Sequence, residues 1–118
     1  MSRILGIDYG KVRTGIAITD ELGITAQGME TINSNGNDKI ILKRLAEIVE
    51  QYNIETFVIG NPLNMDGSES ERSIITKDFI HKLKSSSILY CLIFLCAKMY
   101  NLIRLYMRSQ YEALHKLR

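Results

Sequence analysis

Residues 3–19 read RILGIDYGKVRTGIAIT and contain two apolar runs separated by a glycine-containing segment. The first run ends at Asp8 and is followed by Tyr9 and Gly10, which is typical of a buried strand that enters a turn. Residues 14–19 alternate branched with small side chains, and this alternation favours a second strand paired with the first. We therefore predict an antiparallel β-hairpin at the start of the chain.

Strand and helix patterns alternate after this hairpin. A weak strand pattern covers residues 27–31, and a compact apolar strand is predicted at residues 56–60. Between them, apolar residues at helical spacing predict a helix over residues 37–52, with Asn37 as its N-cap. This order of elements predicts an α/β sheet that combines an antiparallel hairpin with parallel crossovers.

Residues 60–68 read GNPLNMDGS and are interpreted as a loop, since they contain the single proline of the sequence. Ser68 and Glu71 make a capping-box pattern that predicts a second helix from there to about residue 84. Because the loop follows a strand, it lies where open α/β sheets bind ligands, but the pattern alone favours a plain strand-to-helix connection. The candidate site residues in this loop are Gly60, Asn64, Asp66 and Gly67.

Size and composition indicate one globular domain over residues 1–118. Of these residues 46% are hydrophobic and 24% are charged, a balance that excludes the disordered and fibrous classes. Cys91 and Cys96 lie five positions apart in an apolar run, which excludes a disulfide framework and a zinc-ligand spacing. Since no signal-peptide pattern opens the sequence, we expect a cytoplasmic protein with no membrane association.

The charges are unevenly distributed along the chain. Residues 1–78 hold eight Lys and Arg against twelve Asp and Glu, whereas residues 79–118 hold seven Lys and Arg against one acid, Glu112. Residues 88–97 carry no charge and are half as long as a membrane span, so we predict a buried strand there. A helical stripe beginning at Leu92 fits the same residues. The net charge of +2 excludes a strongly cationic molecule but allows a local basic patch.

Asp8 is the candidate metal ligand and catalytic residue. A carboxylate at the end of a buried strand is rigidly held, and the glycine-containing turn after it allows a phosphate to approach the backbone. Lys11 and Arg13 follow the turn and carry charges suited to the phosphates of a nucleic acid. An aspartate that merely caps a hairpin turn has the same pattern. The residues alone leave both interpretations open.

Three separated motifs resemble, in the same order, those of the YqgF/RuvX family: residues 4–17, 22–26 and 60–68. Members of this family are ribonuclease-H-like proteins described as Holliday junction resolvases and as nucleases that mature the 5′ end of 16S ribosomal RNA. Over residues 1–84 the resemblance implies a mixed sheet with flanking helices and a phosphodiester hydrolase. It also implies Mg²⁺ or Mn²⁺ at Asp8, and a structured ribosomal RNA precursor or branched DNA as substrate.

The resemblance ends before residues 85–118, where the later acidic motifs of the family are missing and Glu112 is the only acid. We interpret this part as truncated or replaced, either by a translation frameshift near Ser85 or by divergence of the tail. Two-metal phosphodiester cleavage needs several carboxylates to hold the two ions, whereas one Mg²⁺ can be held by one or two. We therefore expect impaired catalysis.

Three classes of function remain open at this stage. The first is a divalent-metal-dependent nuclease with impaired turnover. The second is a non-catalytic nucleic-acid-binding remnant that uses Lys11, Arg13 and the basic tail on phosphates. The third is a fragment of an actin-like or sugar-kinase-like phosphotransferase, since those folds also begin with an apolar strand and an Asp-x-Gly turn. The loop at residues 60–68 and the short chain argue against this third class.

Overall fold

The sheet that organises the chain has five strands in the order β3-β2-β1-β4-β5. The computed structural model describes residues 3–20, 25–61 and 63–86, and the backbone of residues 92–96. β1 is antiparallel to β2, and β2 to β3, whereas β4 is parallel to both β1 and β5. The elements in chain order are β1 (Arg3–Asp8), β2 (Arg13–Thr19), β3 (Ala26–Asn33), α1 (Asp38–Gln51), β4 (Ile54–Gly60), α2 (Glu71–Ser85) and β5 (Leu92–Cys96).

The register of the sheet collects branched and aromatic side chains on one face. Ile7 lies opposite Ile16 on β2 and opposite Ile59 on β4. Two residues earlier, Leu5 lies opposite Phe57 on β4, and a spacing of two keeps side chains on the same face of a sheet. Leu5, Ile7 and Phe57 are fully buried, so this face forms the floor of the core.

Both described helices cover this face. They contribute to the same core cluster as the strands, through Ile41, Leu45 and Ile48 of α1 and Phe79, Ile80 and Leu83 of α2. Full burial of side chains of this size stabilises the fold by roughly 1.5–3 kcal/mol each relative to exposure. The helical periodicity of the sequence therefore determines which side of each helix meets the sheet.

The start of α2 corrects the predicted N-cap. The cap is Ser70, whose side chain accepts a hydrogen bond from the Ser73 N–H at 3.0 Å, so the prediction of Ser68 was wrong. Ser68 stays in the loop because its N–H and Oγ both donate to Oδ1 of Asp66, at 2.9 and 2.6 Å. The Ser68 side chain is thus directed towards Asp66 within the loop, and Ser70 caps the helix instead.

The other element predictions are confirmed with shifts of a few residues. The strand at 27–31 extends to Ala26–Asn33, and the helix at 37–52 is α1 with Asn37 as N-cap. β5 shows that the backbone of residues 92–96 is a strand rather than a helix. The interpretation of residues 85–118 as truncated or replaced falls mostly outside the described residues. Among the residues that the structure does describe, no helix has the length and apolarity of a membrane span.

Candidate functional site at the end of the first strand

Asp8 is the last residue of β1, where it pairs with Gly15 of β2. Ile7, the residue before it, pairs with Ile59 of β4. Asp8 therefore lies beside Gly60, the last residue of β4. One carboxylate oxygen, Oδ1, is buried within the protein. The sheet thus holds the Asp8 carboxylate at the carboxyl edge of two parallel strands, the edge where open α/β sheets bind ligands.

The turn after Asp8 is closed by a buried threonine. The Thr14 hydroxyl donates to the Gly10 carbonyl and accepts from the Gly10 N–H, both at 3.3 Å, and Thr14 is fully buried. A Cβ at position 10 would lie inside the contact distance of the Arg13 carbonyl oxygen. Position 10 therefore requires glycine for steric reasons.

The tip of this turn is anchored to the segment between β3 and α1. The N–H groups of Ser34 and Asn35 donate to the Val12 carbonyl at 2.9 and 3.2 Å, and the Gly36 N–H donates to the Lys11 carbonyl at 2.6 Å. These bonds fix the backbone of the turn and leave the side chain of Lys11 exposed. The Lys11 ammonium group is thus carried on a rigid support.

Tyr9 connects the end of β1 to both helices. Its ring stacks on Phe79 of α2 with the ring centroids 4.4 Å apart, and its hydroxyl donates to Oδ1 of Asp38 at 2.7 Å. Lys82 contacts the other oxygen of Asp38 at 3.0 Å, and this hydrogen bond raises the pKa of Lys82. Burial raises the pKa of Tyr9 well above its ordinary value, and the hydrogen bond to Asp38 adds to the effect.

We expect the free energy of unfolding to fall at alkaline pH because of the Tyr9 hydroxyl. The unfolded chain loses this proton near pH 10, while the folded chain retains it, so the free energy of unfolding falls as the pH rises above about 10. Tyr9→Phe should flatten this decline, and at pH 7 it should lower the free energy of unfolding by about 1.5–3 kcal/mol, since the lost hydrogen bond is to a carboxylate. Urea unfolding from pH 7 to pH 11.5 measures both effects. Parallel stability curves for parent and variant above pH 10 would contradict the assignment.

The loop between β4 and α2 is held by its own hydrogen bonds. The Asn64 N–H donates to the Ser68 carbonyl, and the Gly67 N–H donates to the Asn64 carbonyl, both at 2.9 Å. Gly67 has a φ of +85°, a conformation that glycine adopts without strain. Hydrogen bonds from Ser68 lower the pKa of Asp66. Asn64, Asp66 and Gly67 thus shape the loop.

A cleft lies between the turn and α2. It has a volume of about 240 Å³ and is lined by Tyr9, Gly10, Lys11, Arg72, Ile75 and Thr76. The predicted phosphate ligand Lys11 therefore borders the cleft, whereas Arg13 begins β2 as an exposed residue outside this lining. Arg72 was missed by the sequence analysis. One feature of the sequence could have identified Arg72: it is a cation in the first turn of a predicted helix, where the helix dipole disfavours positive charge.

Asp8 is the candidate ligand for a divalent ion at this edge of the sheet. Within the part of the chain that the structure describes, no group of three or more His, Cys, Asp or Glu side chains is arranged around a common point. Mg²⁺ keeps several waters and binds through one or two carboxylates together with substrate phosphates. The Asp8 carboxylate meets that requirement for a single ion, but a two-ion site needs further carboxylates.

The sheet order and the flanking helices give the chain a ribonuclease-H-like fold, which solved RuvC structures share. One solved structure with this fold is "T. thermophilus RuvC in complex with Holliday junction substrate", with a TM-score of 0.59 and 11% sequence identity. The similarity covers 81% of this chain and 64% of that one. The "Thermus thermophilus RuvC structure" has a TM-score of 0.51 and 12% identity over 80% of this chain and 63% of that one. The predicted fold class is therefore confirmed.

The family model described as "RuvX: Holliday junction resolvase" matches residues 2–94, and the chain belongs to the RuvX family. The match confirms the resemblance seen in the sequence and continues beyond residue 84, to the strand β5. It favours the nuclease-related classes over the phosphotransferase alternative.

Curated relatives carry the name "Putative pre-16S rRNA nuclease". The protein of this name from Acetivibrio thermocellus is 49% identical over 82 residues, which are 70% of this chain and 58% of that protein. The one from Ruminiclostridium cellulolyticum is 48% identical over 81 residues, which are 69% of this chain and 57% of that protein. The chain thus spans about six tenths of the length of these relatives.

Proposed function

We propose that the chain is a divalent-metal-dependent, nuclease-type protein that binds structured nucleic acid at the carboxyl edge of β1 and β4. The observation that carries this proposal is the position of Asp8, with one carboxylate oxygen buried, beside a closed turn that presents Lys11. A carboxylate and a cation on adjoining backbone suit a metal ion and the phosphate that it contacts.

Each candidate residue has a role in this proposal. Asp8 holds one Mg²⁺ or Mn²⁺, which supplies Lewis acidity towards a phosphoryl oxygen when bound. Lys11 and Arg13 contact neighbouring phosphates, which position the strand without reading its bases. The loop formed by Gly60, Asn64, Asp66 and Gly67 bounds the site on the β4 side.

The proposed substrate is a structured ribosomal RNA precursor. Relatives that are almost half identical to this chain are named for that substrate, whereas the RuvC structures share 11% and 12% identity with it. A ribosomal precursor also implies a cytoplasmic site of action. Branched DNA is the second candidate, and the description of the family as a Holliday junction resolvase favours it.

Hydrolysis by this chain is proposed to be impaired. The described residues provide Asp8 at the site and no cluster of three metal-ligand side chains, and residues 79–118 contain one acid, Glu112. The same observation supports the alternative function, which is nucleic-acid binding without turnover.

Manganese binding tests the role of Asp8. Electron paramagnetic resonance titration of the full chain with Mn²⁺ should detect one weak site, which Asp8→Asn should remove because a neutral amide is a poor ligand for a hard cation. Asp78→Asn is the matched control, since Asp78 is exposed on α2 and paired with Lys82 at 3.5 Å. Equal Mn²⁺ binding by the parent and the Asp8→Asn variant would refute the proposed site.

A further inference from the structure

We infer that the cleft beside Arg72 is a subsite for one nucleotide of the bound strand, across the turn from Asp8. This inference rests on the proposed function and adds a binding site to it. Ligand pockets for complete small molecules have volumes of roughly 300–1,000 Å³. The cleft, at about 240 Å³, is smaller than these and matches a single phosphate with its sugar.

The cleft combines two cationic side chains, which suit a phosphate, with a lining that is otherwise mostly apolar. Lys11 and Arg72 are its charged residues, and none of the described residues that line it is acidic. A guanidinium group can donate two parallel hydrogen bonds to a phosphate. Ile75 is partly exposed and offers an apolar surface to a sugar, whereas the Tyr9 ring is already buried against Phe79. The cleft can therefore hold a backbone unit without stacking on a base.

Arg72 reaches from the start of α2 back to the turn after Asp8, where its Nη2 lies 3.5 Å from the Tyr9 carbonyl oxygen. This position brings a cation from the start of α2 to the backbone next to Asp8. A bound phosphate would offset the unfavourable helix dipole there.

The path of the bound nucleic acid follows from the alternation of side chains at the end of β1. Asp8 faces away from the side of the sheet to which Ile7 contributes, while Tyr9 packs under α2. Asp8 and the cleft therefore lie on two sides of the same turn. A phosphodiester chain that crosses the turn meets Asp8, Lys11 and then Arg72.

The experiment measures binding of the full chain to a fluorescent RNA hairpin and to a fluorescent four-way DNA junction, with Ca²⁺ in place of Mg²⁺. Fluorescence anisotropy is recorded between 50 and 200 mM salt. For the parent we expect affinity to fall steeply with salt, because phosphate contacts release counterions. Arg72→Gln should weaken binding about tenfold at 50 mM and reduce the salt slope by about one. Comparison of the affinities for the RNA hairpin and the DNA junction identifies which nucleic acid occupies the cleft.

Two further variants separate a phosphate contact from a general charge or structural effect. Lys43→Gln removes an exposed charge from α1, outside the residues that line the cleft, and should change affinity less than twofold. Arg72→Lys should restore the salt slope but only part of the affinity, since an ammonium group lacks the planar fork.

The outcomes distinguish the subsite from the proposed function. If the parent binds nucleic acid and Arg72→Gln binds with the same affinity and slope, the subsite is refuted while the proposed function stands. Equal losses of affinity in Arg72→Gln and Lys43→Gln also refute it, because they indicate a general charge effect and not a contact at one phosphate. If the parent binds neither RNA nor DNA, both proposals fail.

Discussion

Gly10→Ala is expected to lower the midpoint of thermal unfolding by roughly 12–18 °C. The added Cβ would overlap the Arg13 carbonyl oxygen, so the turn has to open and the two hydrogen bonds between Gly10 and Thr14 are strained. Backbone shifts forced by an extra carbon in a closed space cost about 3 kcal/mol, and 1 kcal/mol corresponds to about 4–6 °C in a chain of this size. Thermal unfolding followed by circular dichroism measures the change.

Gly67→Ala is the matched control for this substitution. Gly67 has a φ of +85° and nothing within 4 Å of an added Cβ. Alanine there should therefore lower the free energy of unfolding by only about 1 kcal/mol, the cost of a left-handed backbone conformation. We expect Gly10→Ala to unfold at a clearly lower temperature than Gly67→Ala. The reverse order would contradict the close approach of Gly10 to Arg13.

Turnover should be undetectable on a ribosomal RNA precursor and on a four-way DNA junction, even at saturating Mn²⁺. Loss of carboxylates from a two-metal site removes several kcal/mol of charge stabilisation, and each 1.36 kcal/mol is a factor of about ten in rate. The Asp8→Asn variant should then differ little from the parent, because the described residues hold no three-ligand cluster for the substitution to destroy. Gel assays with end-labelled substrates compare the two proteins.

A contrary outcome of this assay is equally informative. Cleavage by the parent that the Asp8→Asn variant lacks would refute the proposed impairment. It would also direct attention to Asp66 and Glu112 as further ligands. Cleavage by both proteins at the same rate would indicate a contaminating nuclease.

The N-terminal hairpin and α1 were predictable because their signals are local. Alternation over residues 14–19 specifies a strand, and the helical spacing of Ile41, Leu45 and Ile48 specifies the buried side of α1. The position of Asp8 at the end of β1 follows from the same local pattern. The family resemblance then identified the fold as ribonuclease-H-like, which periodicity alone does not contain.

The start of α2 was mispredicted because two local interactions compete for one side chain. A serine three residues before a glutamate is a good N-cap, but the same serine also satisfies Asp66 within the loop. Ser70 caps the helix equally well by accepting from Ser73. Sequence spacing does not rank these alternatives, since it does not show which hydrogen bonds the folded loop makes.

The sequence by itself determined the strands and helices, the hairpin and the placement of Asp8 at a strand end, because each depends on side chains within a few positions of one another. The tertiary structure decided what surrounds Asp8. Arg72 lies more than sixty positions from Tyr9 in the chain, yet it contacts the Tyr9 carbonyl and lines a cleft with Lys11. The reason is physical: β1 and β4 pair in parallel, so the segments that leave their carboxyl ends emerge at one edge and meet there.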